Sequence, residues 1–180
     1  MRAGLIALVV AAACATAPRP LPVTEFGLRL SPASLGRELT LSQRVTVVRG
    51  EERRSFDAQL EVDASSVRIA AVALGQTVAT LSWDGKSLEQ KVSERVPEAV
   101  TAGRILSDVQ LAWWPVEAIR AGLPAGYSLE EQGGRRALAQ DGVPVAWVSY
   151  EGLGPAWKHV RLTHQRFGYV LDIESVEAEP

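Results

Sequence analysis

Two stretches of apolar and polar alternation, residues 38–93 and 127–176, flank a single stretch, residues 102–123, whose apolar residues recur with helical spacing. Ile105, Leu106, Val109, Ala112 and Trp113 fall at i, i+1, i+4, i+7 and i+8, the stripe of a helix laid against another layer. Period two on both sides makes that layer a β-sheet. The pattern predicts a mainly β (α+β) fold: a curved antiparallel half-barrel of about 9–11 strands covered by short helices. Turns are short throughout, so no βαβ crossover is required, which argues against a parallel α/β enzyme fold.

Leu39, Leu41, Val45 and Val47 alternate with Thr40, Ser42, Arg44 and Thr46, and Phe56, Ala58, Leu60 and Val62 alternate with Asp57, Gln59, Glu61 and Asp63. Each strand has one dry and one wet face. Residues 67–74 are apolar on both faces apart from Arg68, which predicts a central strand covered on both sides or an exposed interaction patch. Asp84-Gly85, Gly133-Gly134 and Asp141-Gly142 are hairpin turn signals. Pro115 should end one helix near Trp113-Trp114 and begin another over residues 116–121. Side chains adjacent on a helix diverge by about 100°, so one tryptophan should point away from the deepest core. Trp113 reads as core packing or ligand contact, and Trp114 as a lid, a membrane-facing residue or packing.

The amino-terminal residues carry a different signal. Arg2, an apolar run over residues 5–10, and Ala11-Ala12-Ala13 before Cys14 have the order of a secretory signal ending at a lipobox. In that reading residues 1–13 are a lipoprotein signal peptide and Cys14 is acylated, palmitate being one such chain. The alternative is an ordinary signal peptide beside an incidental cysteine. Cys14 is the only cysteine, and acylation would remove a thiol that an oxidising compartment makes a liability. Residues 14–34, proline-rich at first, read as lipidated tether, and residues 35–180 as the domain.

The chemistry of catalysis is missing from these patterns. His159 and His164, five apart on a strand, face opposite ways and cannot share a site. Asp57, Glu61 and Asp63 line a solvated face. No nucleophile elbow, zinc motif, phosphate loop or dinucleotide fingerprint is present. The expectation is a protein that is not an enzyme and uses no cofactor or metal. A net charge of −2 with interspersed signs argues against nucleic acid.

Three motifs together carry a resemblance: residues 80–85, Thr-Leu-Ser-Trp-Asp-Gly; residues 107–115, Ser-Asp-Val-Gln-Leu-Ala-Trp-Trp-Pro; and residues 167–173, Phe-Gly-Tyr-Val-Leu-Asp-Ile. In order and spacing, over residues 35–175, they resemble the domain-of-unknown-function family 3261, itself similar to the LolA and LolB lipoprotein carriers. The resemblance implies an outer-membrane lipoprotein on the periplasmic face, monomeric, handling an acyl or aryl-polyene-like molecule in lipid transport. Only Cys14 transfers from it as a site. Strand parity and the helix stripe select the cavity lining: Leu60, Val62, Leu81, Trp83, Val109, Trp113, Leu171 and Ile173. A lipid-binding carrier is the first expectation. A structural lipoprotein with an envelope protein as partner, and no ligand, is the alternative.

Overall fold

A computed structural model describes residues 27–93, 101–152 and 159–177. Ten strands form one antiparallel sheet: β1 (Leu39–Arg49), β2 (Glu52–Val62), β3 (Val67–Ala73), β4 (Gln76–Trp83), β5 (Leu88–Val92), β6 (Tyr127–Gln132), β7 (Arg135–Gln140), β8 (Val143–Glu151), β9 (His159–His164) and β10 (Tyr169–Glu177). The order across the sheet is β5-β4-β3-β2-β1-β10-β9-β8-β7-β6. Two five-stranded meanders therefore meet at a β1–β10 seam, where Val45 opposes Ile173 and Val47 opposes Leu171. Two helices, α1 (Ala102–Trp113) and α2 (Val116–Gly122), join one outer edge to the other.

The sheet must curl. From β5 to β7 there are eight strand spacings, about 38 Å if flat, against a helix about 10–12 Å wide. Yet α1 reaches both: the Ala102 N–H donates to Gln90 Oε1 of β5 at 3.1 Å, and Arg136 of β7 donates to the carbonyl of Leu111 at 2.8 Å. The concave face is the one carrying Leu39, Leu41, Val45, Leu60, Val62, Val67, Leu81 and Trp83, all buried, together with Val148, Val160 and Leu162 from the second meander.

Local chemistry sets each end of α1. Thr101 Oγ1 accepts from the Arg104 N–H at the start. At the finish Pro115 forces Trp114 into extended backbone, φ −74° and ψ 152°. The exposed carbonyls there are met by Arg136 and by the Tyr150 hydroxyl, 2.7 Å from the Ala112 oxygen. Because Trp114 has left the helix, the 100° argument does not apply to it. Trp113 and Trp114 are both buried, and Trp114 is a packing residue rather than a lid or a membrane contact.

The Gly133-Gly134 and Asp141-Gly142 turns occur as two-residue hairpin loops. Asp84-Gly85 instead opens a longer loop, in which Asp84 accepts from the N–H groups of Lys86 and Ser87. β3 departs from expectation. It lies third from an edge, and beyond Val67 its inward residues are half-buried, so it is neither a fully covered central strand nor an exposed patch. Its turn places Leu74 at φ 51°, fully exposed.

Leu74-Gly75 closes a two-residue hairpin in which both residues have positive φ, geometry that favours Asn-Gly. Leu74→Asn is expected to raise stability by about 1 kcal/mol. Denaturant titration checks this, and a lowered midpoint would contradict it.

Candidate functional site

The helix that the sequence reads as one-faced is buried nearly all round. Ser107, Asp108 and Gln110, on what should be its wet side, are 4%, 9% and 0% exposed. Buried polar groups need partners, and these find theirs in two places. The first is an extended strap, residues 27–31, which leads into a short 3-10 turn at Pro32–Leu35. The Leu28 N–H donates to Ser107 Oγ at 3.1 Å. The Gln110 amide grips Leu30 from both sides, accepting from its N–H at 3.0 Å and donating to its carbonyl at 2.9 Å. Trp83 of β4 donates its indole N–H to the same carbonyl at 2.8 Å, and Trp114 donates to Ser34 Oγ at 3.0 Å.

The strap thus borrows side chains where a strand would use a neighbouring backbone. Its Leu28 and Leu30 are buried, and α2 approaches so closely that a Cβ at Gly122 would strike the Leu30 side chain. Pro32 sits at the start of the 3-10 turn.

The second partner lies across the seam. Tyr169 donates its hydroxyl to Asp108 Oδ2 at 2.6 Å. Burial pushes the Asp108 carboxyl up to about 7, while the Tyr169 bond and the Arg104 charge pull it partly back. Burial, then the Asp108 carboxylate, raises Tyr169 well above its ordinary value. Beside them His164 is 4% exposed, its ring 5.3 Å from Tyr169 and 4.4 Å from Phe167. Burial, with Arg104 and Arg166, lowers His164 to about 4, so it is neutral at pH 7. Phe167 covers the Arg104 guanidinium at 3.6 Å.

All eight residues selected as cavity lining lie on the concave side and share one apolar cluster. Leu60, Val62, Leu81, Trp83, Trp113 and Ile173 are buried beneath the helix and strap, whereas Val109 and Leu171 are half-buried. Trp83 holds the strap as well as lining the interior. One corner of this face is less covered. Ala58, Ala71 and Ala79 stand side by side across β2, β3 and β4, and this row of small side chains ends at Val92, 41% exposed. Phe56, Ile69 and Val47 around it are half-buried although they point inward. On α1, Ile105 and Val109, one turn apart, are half-buried too.

A separate hollow of about 710 Å³ lies over the outer face of β2–β5, lined by Gln59, Glu61, Arg68, Thr80, Ser82 and Lys91 among others. Most of its lining residues are polar, and Leu81 is the only one of the eight residues that borders it. The outward carboxylates are structural: Asp57 pairs with Arg44 at 2.6 Å, Glu61 with Arg68 at 3.1 Å, and Asp63 accepts from Ser65 and Ser66, which holds its pKa well below the usual range. His159 faces outward between Glu151 and Asp172, opposite to His164, as strand parity requires. Cys14 lies outside the described residues. Among the described residues no group of three or more potential metal ligands occurs, and no helix is long and apolar enough to cross a membrane.

The family model for DUF3261, a protein of unknown function, matches residues 40–177. No curated protein matches the chain. Solved structures similar to this chain include the following two. A LolA superfamily protein from Nitrosomonas europaea is 9% identical, with 84% of this chain and 92% of that one covered and a TM-score of 0.46. A DUF1329 family protein from Desulfovibrio piger is 11% identical, with 77% and 83% covered and a TM-score of 0.41.

Gln110→Leu keeps the volume but leaves the Leu30 N–H buried without a partner, so a loss of about 2–3 kcal/mol is expected, with faster hydrogen exchange at Leu30. Unchanged exchange there would refute the clamp. Asp108 supplies a pH test. Its pKa is raised on folding, so the associated stability is complete below the unfolded value near 3.8 and is lost as pH rises through about 7. Asp108→Asn should therefore be more stable, relative to the parent protein, at pH 8 than at pH 5. Parallel pH–stability curves would contradict this.

Proposed function

The chain belongs to the DUF3261 family, and from its geometry we propose that it is a non-enzymatic carrier that binds an acyl or aryl-polyene-like chain on the concave face of its sheet. The observation that carries this reading is the less covered apolar corner. Inward side chains of β1–β4 are normally sealed by the layer that a sheet packs against. Here Ala58, Ala71 and Ala79 present only small side chains, and Phe56, Val47 and Ile69 around them are half-buried. An acyl chain laid there would remove both its own surface and theirs from water, at about 25 cal/mol per Å². Bound chain deeper in the interior would displace the strap from beside Trp83 and Gln110, whose bonds to Leu30 are few and made by side chains.

Lipidation at Cys14 and residence at the periplasmic face of the outer membrane belong to the same proposal. They rest on the small residues before that cysteine and on the tether that would follow it. Leu74, fully exposed at the tip of the β3–β4 hairpin, offers an apolar contact at the end of the sheet where the corner lies. A structural lipoprotein whose interior is filled by its own side chains is the second reading. It is favoured by the burial of six of the eight lining residues.

Mass spectrometry of the organic extract separates the two. The full chain with Cys14→Ser, purified from a periplasm without detergent, should release a near-stoichiometric amphiphile, and Val109→Glu should deplete it severalfold. An empty extract, repeated with acyl chains supplied, would favour the structural reading. Unchanged content in the Val109→Glu protein would remove the corner from the binding surface.

A further inference from the structure

The two edges of the sheet are finished differently. Along β6 the Asp141 N–H bonds the Gly126 carbonyl at 2.7 Å, so even-numbered residues turn their backbone to β7 and odd-numbered ones to the free side. The chain itself meets groups on that side: the Tyr127 N–H donates to the Pro124 carbonyl at 3.1 Å, and Arg120 of α2 donates to the Leu129 carbonyl at 3.0 Å. Along β5 the Ser93 N–H bonds the Val78 carbonyl at 2.8 Å, so odd-numbered residues face β4. The N–H and C=O groups of Leu88, Gln90 and Val92 therefore point to the free side, and among the described residues nothing takes them. Glu89 and Lys91 stand exposed on the outer face between them, and neither forms an ion pair among the described residues.

We propose that β5 is the docking edge for a second copy of this chain, paired antiparallel about a two-fold axis at Gln90. The inference stands apart from the carrier reading and replaces the monomer that the family resemblance implies. In this register Gln90 pairs with Gln90 of the other copy, and Leu88 with Val92, so the free backbone groups of both strands bond one another. Glu89 of each copy lies opposite Lys91 of the other, at the non-hydrogen-bonded positions where facing side chains come closest. Read in reverse, Leu-Glu-Gln-Lys-Val is its own charge complement.

The same charges select the register. Sliding one strand past the other by two residues, the smallest step that keeps the faces matched, sets Glu89 against Glu89 or Lys91 against Lys91. Edge strands commonly carry charge to keep other chains away, but here the signs attract a reversed copy of the same strand. Pairing also completes the less covered corner. The row Ala58, Ala71, Ala79 ends at Val92, 41% exposed, and Leu88 of the second copy would lie beside it on the same face. The second copy thus lends an apolar side chain to the concave surface of the first.

Sedimentation of the full chain carrying Cys14→Ser tests the pairing. The parent protein should be a concentration-dependent dimer. Lys91→Glu and Glu89→Lys should each weaken it at least about tenfold, because two attractive pairs become repulsive. An equimolar mixture of the two variant proteins should recover the association, as should the double variant Glu89→Lys/Lys91→Glu, a rescue that a merely structural role would not produce. Val92→Pro deletes an N–H that β4 does not use, so far-UV circular dichroism should be kept while the dimer is lost. A parent protein that stays monomeric at its highest soluble concentration would overturn the proposal. So would a dimer that survives the single charge reversals and Val92→Pro, or a mixture no more associated than its components.

Discussion

A helix enclosed by a curled sheet has little surface left for water, and the rest of this structure follows from that constraint. Ser107, Asp108 and Gln110 would each destabilise the fold if buried alone. The amide of Gln110 meets a peptide group of the strap, Ser107 meets the strap one pair of residues earlier, and Asp108 meets Tyr169. The interior is thereby held by directional bonds as well as apolar area. Specific polar pairing fixes which turn of α1 faces which strand, something that leucine and valine contacts alone would leave loosely defined.

The three sequence motifs acquire a common physical meaning in this arrangement. Trp83 from the first and Gln110 from the second hold the same Leu30 carbonyl, and Tyr169 from the third holds Asp108 of the second. Segments far apart in the chain converge on one helix. The strap, which belongs to none of the motifs, is the backbone that two of them grip. Arg136 and Tyr150 close the far end of the helix from the second meander, so both halves of the sheet contribute to its placement.

Much of the fold was legible because alternation is a local property. The dry faces of β1 and β2, the two-residue turns at Gly133-Gly134 and Asp141-Gly142, and the break between the two helices at Pro115 followed from spacing and turn chemistry. That the strand residues among the eight share the concave face was legible for the same reason, since hairpin register carries parity from strand to strand. Hydropathy misread the polar side of α1. It assigns Gln110 to water, and its true partner is backbone from a segment with no periodicity of its own. His164 was correctly placed opposite His159, but its neighbours Phe167, Tyr169 and Arg104 come together only through the curl. Trp114 stayed open between packing and a lid or membrane contact because helical geometry was applied to a residue that Pro115 had already turned out of the helix.

The seam between β1 and β10 bears on how the chain reaches this state. Each meander can pair strand by strand from near neighbours, whereas the seam joins residues such as Arg37 and Glu177, 140 positions apart. Contacts of such separation are slow to form, because the closure entropy precedes any reward. Until β10 arrives, β1 and β10 both present bare edges, and such edges recruit other chains. Of the described strands, the last to emerge during synthesis is thus the one that completes the centre of the sheet. A chain lacking it would keep all its other hairpins yet expose two unpaired edges where the finished molecule is continuous.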